Sequence, residues 1–320
     1  MRITPRLLAG LTAGAMTLAA CSAPASSTGD GSSADRAPEE AQVRVLAAFY
    51  PLQYVLTEVG GEDVVVESLT PPGAEAHDLE LSPRQVREIG DADAVVVLAG
   101  FQAAVDEAVA ARAPKHLLDA AELPEIAAHM SEGQEDEDGH AEDDGHGHAE
   151  GDPHFWLDPT LLAVLAEATA DLLTDADPAG ADGYRERADA LVGQLTELDE
   201  TFTSGLESCE QDVIVVMHEA FGFLAERYGL EQVAVAGLDP ESEPSPARLR
   251  EIRETVEDAG VTTIFSESAV DPRVAQTLAD DLGIETAVLD PLETQADPES
   301  DYRVVMLANL DALRTALSCA

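Results

Sequence analysis

From residue 43 onward, short apolar runs alternate with stretches whose apolar positions recur at helical spacing. Residues 43–49, 64–69, 94–99 and 116–118 read as strands, with helices over 51–59, 83–89 and 102–111 between them. Runs this short and this uniformly apolar suit a parallel sheet covered on both faces, a doubly wound α/β lobe. The second half repeats the alternation. Strands are predicted at 212–217, 232–236, 262–265 and 285–289, and helices at 219–228, 246–259, 271–282 and 302–317, with Ser245 capping the helix that Pro246 opens. Between the halves lie a helix over 159–174 and, after the break at Asp177-Pro178, a long one over 179–206. Tyr184, Ala188, Leu191, Leu195, Leu198 and Phe202 form its apolar stripe. A helix of about 28 residues extends roughly 42 Å, so the stripe can run across both lobes as a stiff strut that limits their opening to small movements. The expectation is an N-terminal α/β lobe over 42–178, a linking helix over 179–207 and a C-terminal α/β lobe over 208–320.

Two segments do not fit this alternation. At the start, Arg2 and Arg6 precede a small-residue apolar run over 7–20 that is too short to span a bilayer and suits a secretory signal. It ends in Leu18-Ala19-Ala20-Cys21, which looks like a bacterial lipoprotein signal, with Cys21 carrying the lipid and becoming the new N-terminus. Residues 1–20 are thus expected to be removed and 21–41, rich in Ser, Ala, Gly, Pro and Asp, to serve as a flexible tether to the membrane surface. The second exception is the acidic stretch 131–152, which places His140, His146 and His148 among ten acids with almost nothing a core could bury. This loop reads either as a weak auxiliary collector of metal or as a passive acidic insertion.

Charge narrows the partners. Asp plus Glu number 64 against 17 Lys plus Arg, a formal net charge of -47, which electrostatics sets against any nucleic-acid role. The plain reading is a solvated acidic surface, whose field favours cations. About 280 residues after the tether exceed one typical core and agree with two lobes. With Cys21 lipidated, Cys209 and Cys319 remain outside the reducing cytosol and are expected to form a disulfide that closes a long loop.

Candidate metal chemistry lies at strand ends, where ligands of doubly wound sheets bind. His77 follows the second strand in the loop Pro71-Pro72-Gly73-Ala74-Glu75-Ala76-His77-Asp78. His218 follows a strand of the second half, as do Glu267 and Asp290. His154 sits beside Phe155, Trp156 and Leu157, which can hold an imidazole still. A lone histidine beside aromatics is more often a packing residue, so His154 counts only if other ligands converge on it. Two lobes facing each other would bring His77, His154, His218 and Asp290 together.

Several phrases carry a resemblance: Phe49-Tyr50-Pro51-Leu52, Gly73 to His77 with Ser82-Pro83 following, Asp152-Pro153-His154-Phe155-Trp156-Leu157-Asp158-Pro159, His218-Glu219-Ala220-Phe221-Gly222-Phe223-Leu224, and Leu289-Asp290-Pro291-Leu292. Together they resemble the zinc and manganese solute-binding proteins of bacterial ABC importers over nearly all of the chain after the tether. The resemblance implies two lobes joined by a backbone helix with the metal in the cleft, His77 and His154 as ligands from one lobe, and His218 and Asp290 from the other. It also implies an ABC permease and its ATPase as partners, an extracytoplasmic monomer anchored by lipid alone, and no enzymatic activity. Two departures are visible. Some zinc members place a Glu immediately before the first ligand, where this chain has Ala76, and some have water at the fourth position. Glu267 is therefore kept as an alternative ligand, as a partner orienting an imidazole, or as a loop hydrogen-bonding group.

Three imidazoles and one carboxylate make a compact four-coordinate site suited to Zn(II), whereas Mn(II) favours more oxygen donors. Manganese members put a carboxylate where this sequence has His218. The expectation is a receptor that captures Zn(II) for import. The alternatives are a manganese receptor or an adhesin of the same fold and, less favoured, a zinc hydrolase. His218-Glu219 begins like a metalloprotease helix, but Gly222 occupies the second histidine position.

Overall fold

The computed structural model describes residues 42–132, 151–240, 242, 244–268 and 272–320, without the side chains of residues 131 and 132. Cys21, His140, His146, His148 and the expected leader and tether lie outside the described residues. Residues 42–320 form one compact unit.

The first sheet comprises β1 (Val43–Ala47), β2 (Val64–Ser68), β3 (Ala94–Val97) and β4 (Leu117–Asp119), parallel and in the order β2-β1-β3-β4. Around it lie α1 (Tyr50–Gly60), α2 (Pro83–Asp91), α3 (Ala103–Arg112) and α4 (Pro124–Glu132). The sequence pattern did not anticipate α4. The central strand β3, Ala-Val-Val-Val, is buried at every position, as a strand covered on both faces requires, whereas the edge strand β2 alternates. Helix α2 starts where Ser82 and Gln85 form a reciprocal capping box around Pro83.

Helices α5 (Pro159–Ala176) and α6 (Ala181–Leu206) follow. Asp158 caps α5 by accepting from Thr160 N, with Pro159 in the first turn. The buried stripe of α6 contains all six expected residues and ends with Leu206. At 26 residues the helix is about 39 Å long. It packs on α1 and α5 of the first half and, beyond them, on the later helices α7 (Gly222–Tyr228) and α10 (Tyr302–Ala316), so the strut touches both lobes.

The second sheet comprises β5 (Val213–Val216), β6 (Glu231–Ala234), β7 (Thr263–Ser266) and β8 (Glu285–Val288), again parallel, in the order β6-β5-β7-β8. With α8 (Pro246–Ala259) and α9 (Arg273–Leu282) it reproduces the topology of the first sheet. Helix α7 begins three residues later than the expected 219, because Glu219 and Ala220 are held in an irregular turn by bonds to Gly237 O and His218 O. Cys209 and Cys319 are disulfide-bonded, joining the segment after α6 to the last residues over a separation of 110. In the chain-entropy picture closing a loop this long stabilises the fold by about 5 kcal/mol.

One apolar core runs through both lobes, from Phe49 and Trp156 to Phe221 and Tyr302. A smaller one, with Val215, Ile252 and Ile264, lies beneath the outer helices of the second sheet. Trp156 is fully buried where the halves meet: its Nε1 donates to Pro291 O at 2.7 Å, and its carbonyl accepts from Tyr302 Oη at 2.6 Å. The lobes thus share a buried, hydrogen-bonded seam.

Candidate metal centre

Four side chains converge at this seam. Glu293 Oε1 lies 3.1 Å from His154 Nε2, 3.1 Å from His218 Nε2 and 3.3 Å from His77 Nε2. The donor atoms of the four residues all fall within 4.8 Å of one another. His154 and His218 are fully buried, and Glu293 and the His77 side chain are 9% and 15% exposed.

Each residue reaches the point by a different local device. His77 ends the loop after β2. That loop is fixed to its own lobe by buried Gln102, which donates from Nε2 to Thr70 Oγ1 and Ala76 O, and to the other lobe by Gly73 N donating to Thr294 Oγ1 at 2.7 Å. Glu75 does not face the site; its two carboxylate oxygens accept from His77 N and Asp78 N and shape the turn. His154 precedes a 3-10 turn over Phe155–Leu157 whose three side chains are buried. His218 follows β5, a strand buried throughout.

Two of the imidazoles are held at both nitrogens. Asp152 Oδ1 accepts from His154 Nδ1 at 2.6 Å and also from His154 N at 2.9 Å. Glu267 Oε1 accepts from His218 Nδ1 at 2.6 Å, so Glu267, itself buried, is an orienting partner of His218 and not a member of the converging group. A carboxylate can only accept, so each Nδ1 carries a proton and each Nε2 faces Glu293, as an N–H donor while the ring is protonated and as a free lone pair once that proton leaves.

Asp290, expected as the fourth ligand, stands outside the group, and Glu293 occupies that place. Asp290 is committed to the loop it sits in: Oδ1 accepts from Leu292 N at 2.7 Å, Oδ2 accepts from Ser268 Oγ, and its backbone pairs with the buried Asn309 side chain in both directions. The turn then passes through Leu292 at φ 60, a left-handed conformation that re-aims the chain and delivers residue 293 to the histidines. The expected ligand, Asp290, lies three positions before Glu293 in the same loop. The available signal was an acid, Glu293, between apolar Leu292 and a threonine in a segment already marked as a strand-end loop.

The electrostatics describe a site made for a cation. Burial by itself pulls the His154 imidazole down, but the carboxylates of Asp152 and Glu293 outweigh it and raise its pKa. His218 shows the same opposition, burial against Glu267 and Glu293, and is pushed up to about 10. Burial would raise Glu293, yet hydrogen bonds from the three imidazoles hold it well below the usual carboxylate range. Three lone pairs and a carboxylate oxygen pointed at one place repel unless a positive charge lies among them, and a divalent ion meets all four at once. Beside the group a cavity of about 50 Å³ is lined in part by Glu267, Asp290 and Glu293. An acidic lining of this kind favours the approach of cations.

Residues 45–316 match the model of the ZnuA family, described as zinc-uptake complex component A, periplasmic. The chain belongs to this family. Its relatives include the zinc-binding lipoprotein AdcA of Streptococcus pneumoniae strain R6, 33% identical over 286 residues that cover 86% of this chain and 56% of AdcA. The chain thus spans little more than half the length of the AdcA proteins it matches. The high-affinity zinc uptake system protein ZnuA of Bacillus subtilis strain 168 is 30% identical over 311 residues, covering 95% of this chain and 97% of that one. Among solved structures, the Zn(II)-bound ZnuA-like domain of S. pneumoniae AdcA superposes with a TM-score of 0.69 at 31% identity, over 86% of this chain and 98% of that domain. This chain's two parallel-sheet lobes meet at a histidine and carboxylate cluster.

Proposed function

We propose that the protein is an extracytoplasmic receptor that binds one Zn(II) between its lobes and delivers it to an ABC permease driven by an ATPase. The observation that carries this reading is the convergence of three Nε2 atoms and Glu293 Oε1 within 3.1–3.3 Å at the seam. The N3O donor set suits tetrahedral zinc better than manganese, which takes more oxygen donors. In this reading the ligands are His77, His154, His218 and Glu293, with Glu293 replacing Asp290, and the relatives named for zinc binding and zinc uptake support the choice of ion.

The same set argues against hydrolysis. A catalytic zinc keeps an open position for water, whereas four protein donors close the tetrahedron. The ligands also divide two and two between the lobes, so one displacement of the lobes removes two together. Zinc-to-nitrogen bonds are about 2.0–2.1 Å, so a shift of about 1 Å is enough, and the long α6 strut permits a movement of that size. This gives tight capture with a route to release at the permease.

The remaining parts of the reading are a monomer held at the membrane by lipid on Cys21 alone. Among the described residues no helix is long and apolar enough to cross a membrane.

Metal analysis and zinc titration of the purified chain test the proposal. One zinc per chain at the seam, lost in His218→Ala, and restoration of growth at limiting zinc in cells lacking their own receptor are expected. A chain that takes no zinc, or turns over ester or peptide substrates when loaded, would overturn it.

A further inference from the structure

Asp152 is outside the converging group, yet it touches both lobes. Its Oδ1 is pinned by two donors of His154, Nδ1 at 2.6 Å and N at 2.9 Å. Its other oxygen, Oδ2, lies against Gly222, the first residue of α7 in the opposite lobe. A Cβ on Gly222 would fall well inside contact distance of Oδ2 and 3.5 Å from Asp152 Cγ. Gly222 opens a helix in a conformation any residue adopts, and it is not among the glycines at positive φ. Space, not backbone freedom, is therefore what a side chain here would lack.

The two contacts constrain one another. Asp has a short side chain with a planar carboxylate, so pushing Oδ2 aside rotates or withdraws Oδ1 as well. Oδ1 is what keeps the proton on His154 Nδ1 and the Nε2 lone pair on the site. No other acceptor within the described residues is bonded to that nitrogen.

We propose that Asp152 is a positioning residue for zinc binding and that Gly222, by admitting its carboxylate against the opposite lobe, makes the aim of His154 depend on how the two lobes are seated. The proposal rests on the zinc-receptor reading above and extends it to how the site is assembled. Lobe seating and presentation of His154 become one event: with α7 in place, Asp152 is confined between Gly222 and the imidazole, and with α7 withdrawn only the imidazole holds it. A change in the C-terminal lobe that touches no ligand thereby reaches a ligand of the N-terminal lobe.

The test is a cycle of Asp152→Ala, Gly222→Ala and the double variant in the full chain. Zinc affinity is read by competition with a chromophoric chelator and site geometry by the visible absorption of the Co(II)-loaded protein. Asp152→Ala is expected to weaken zinc by about 10–100-fold, the usual effect of removing a partner that orients a ligating histidine. Gly222→Ala is expected to weaken it by about tenfold or more and to shift the Co(II) bands. In the Asp152→Ala background Gly222→Ala should add nothing, because the oxygen it strikes is gone. Asp152→Asn, whose carbonyl oxygen can still accept from Nδ1, should restore most of the affinity. If Gly222→Ala alone does not fold, the double variant is expected to fold.

The proposal is overturned if Gly222→Ala binds zinc as the unaltered chain does, if it costs the same factor with and without Asp152, or if the double variant also fails to fold. An unaltered chain that takes no zinc removes the receptor reading itself. Normal zinc binding in the unaltered chain with additive variants removes only the Asp152–Gly222 coupling.

Discussion

His154 and His218 are gripped at both ring nitrogens, each with a carboxylate 2.6 Å from Nδ1 and Glu293 at Nε2, and both are wholly buried. His77 differs on every count: it is 15% exposed, it meets Glu293 at the longer distance of 3.3 Å, and the ion pairs among the described residues engage only its Nε2. Its ring is instead steadied edge-on by Phe101 at 4.7 Å. The contrast teaches that the site has a preformed half and an adjustable one. Two imidazoles are set by the fold before any ion arrives, and the third is carried on a loop whose side chain is free to adapt at lower cost.

Removal of ligands gives the largest effect and tests the contrast most severely. Structural zinc sites bind with about 10–16 kcal/mol, so each of four ligands accounts for about 3 kcal/mol, or about a hundredfold in affinity. His154→Ala and His218→Ala should exceed that, because each also strands a buried or half-buried carboxylate, Asp152 or Glu267, without its partner. His77→Ala should fall at or below it. Equal losses at all three positions, measured by chelator competition, would erase the distinction. Next in size is Glu267→Ala, expected to cost about 10–100-fold in zinc affinity, since it takes away the acceptor that orients the His218 ring through Nδ1.

Protons sharpen the same contrast. His218 is raised to about 10 from an ordinary 6.5, and His154 is raised too, so without metal both compete for protons across the neutral range. For the metal-free fold the sign is fixed: the raised histidines contribute stability that is complete below pH 6.5 and is lost, for His218, as pH rises through about 10. Glu293, held low by the three imidazoles, contributes above its ordinary 4.5 and loses that only as pH falls through its depressed value. Zinc must displace the histidine protons, so its affinity rises with pH, by about tenfold per unit for each proton released. Calorimetry in buffers of different ionisation enthalpy should count about one to two protons released at neutral pH. A count of zero would show that the preformed half is not held by these carboxylates.

Much of this architecture was legible in the chain. The strand runs of both halves, the stripe of α6 and the Ser245 cap are local patterns, and each element formed close to where its pattern placed it. The three histidines were visible as imidazoles at strand ends or beside packing aromatics. What was not legible depended on contacts distant in sequence. Helix α4 has only nine residues, about two and a half turns, and it packs against α5. Asp152 orients His154 from two residues away, but its second contact, with Gly222 of α7, reaches the other lobe. Glu267 was left open between ligand and orienting partner, and the choice between them needed the 2.6 Å contact to Nδ1 of a residue 49 positions away.

Asp290→Asn gives the smallest expected effect and, set beside Glu293→Gln, the finest discrimination. Both acids follow β8, both line the same small cavity, and Asp290 is the one whose motif drew attention. The geometry separates them by what each oxygen already holds. Asp290 is occupied by Leu292 N and Ser268 Oγ, and burial raises its pKa against those bonds, the behaviour of a carboxylate that organises its loop. Glu293 spends its Oε1 on the three imidazoles alone. Asp290→Asn keeps an acceptor for Leu292 N and should leave zinc affinity within about threefold, with a loss of about 1 kcal/mol in unfolding stability from the weakened Ser268 contact. Glu293→Gln, equally conservative in shape, should cost about a hundredfold because it removes the one negative charge the ion meets directly. Zinc titrations of the two variants side by side decide the matter: if the asparagine variant is the one that loses the metal, the fourth ligand is Asp290 and the turn through Leu292 has been misread.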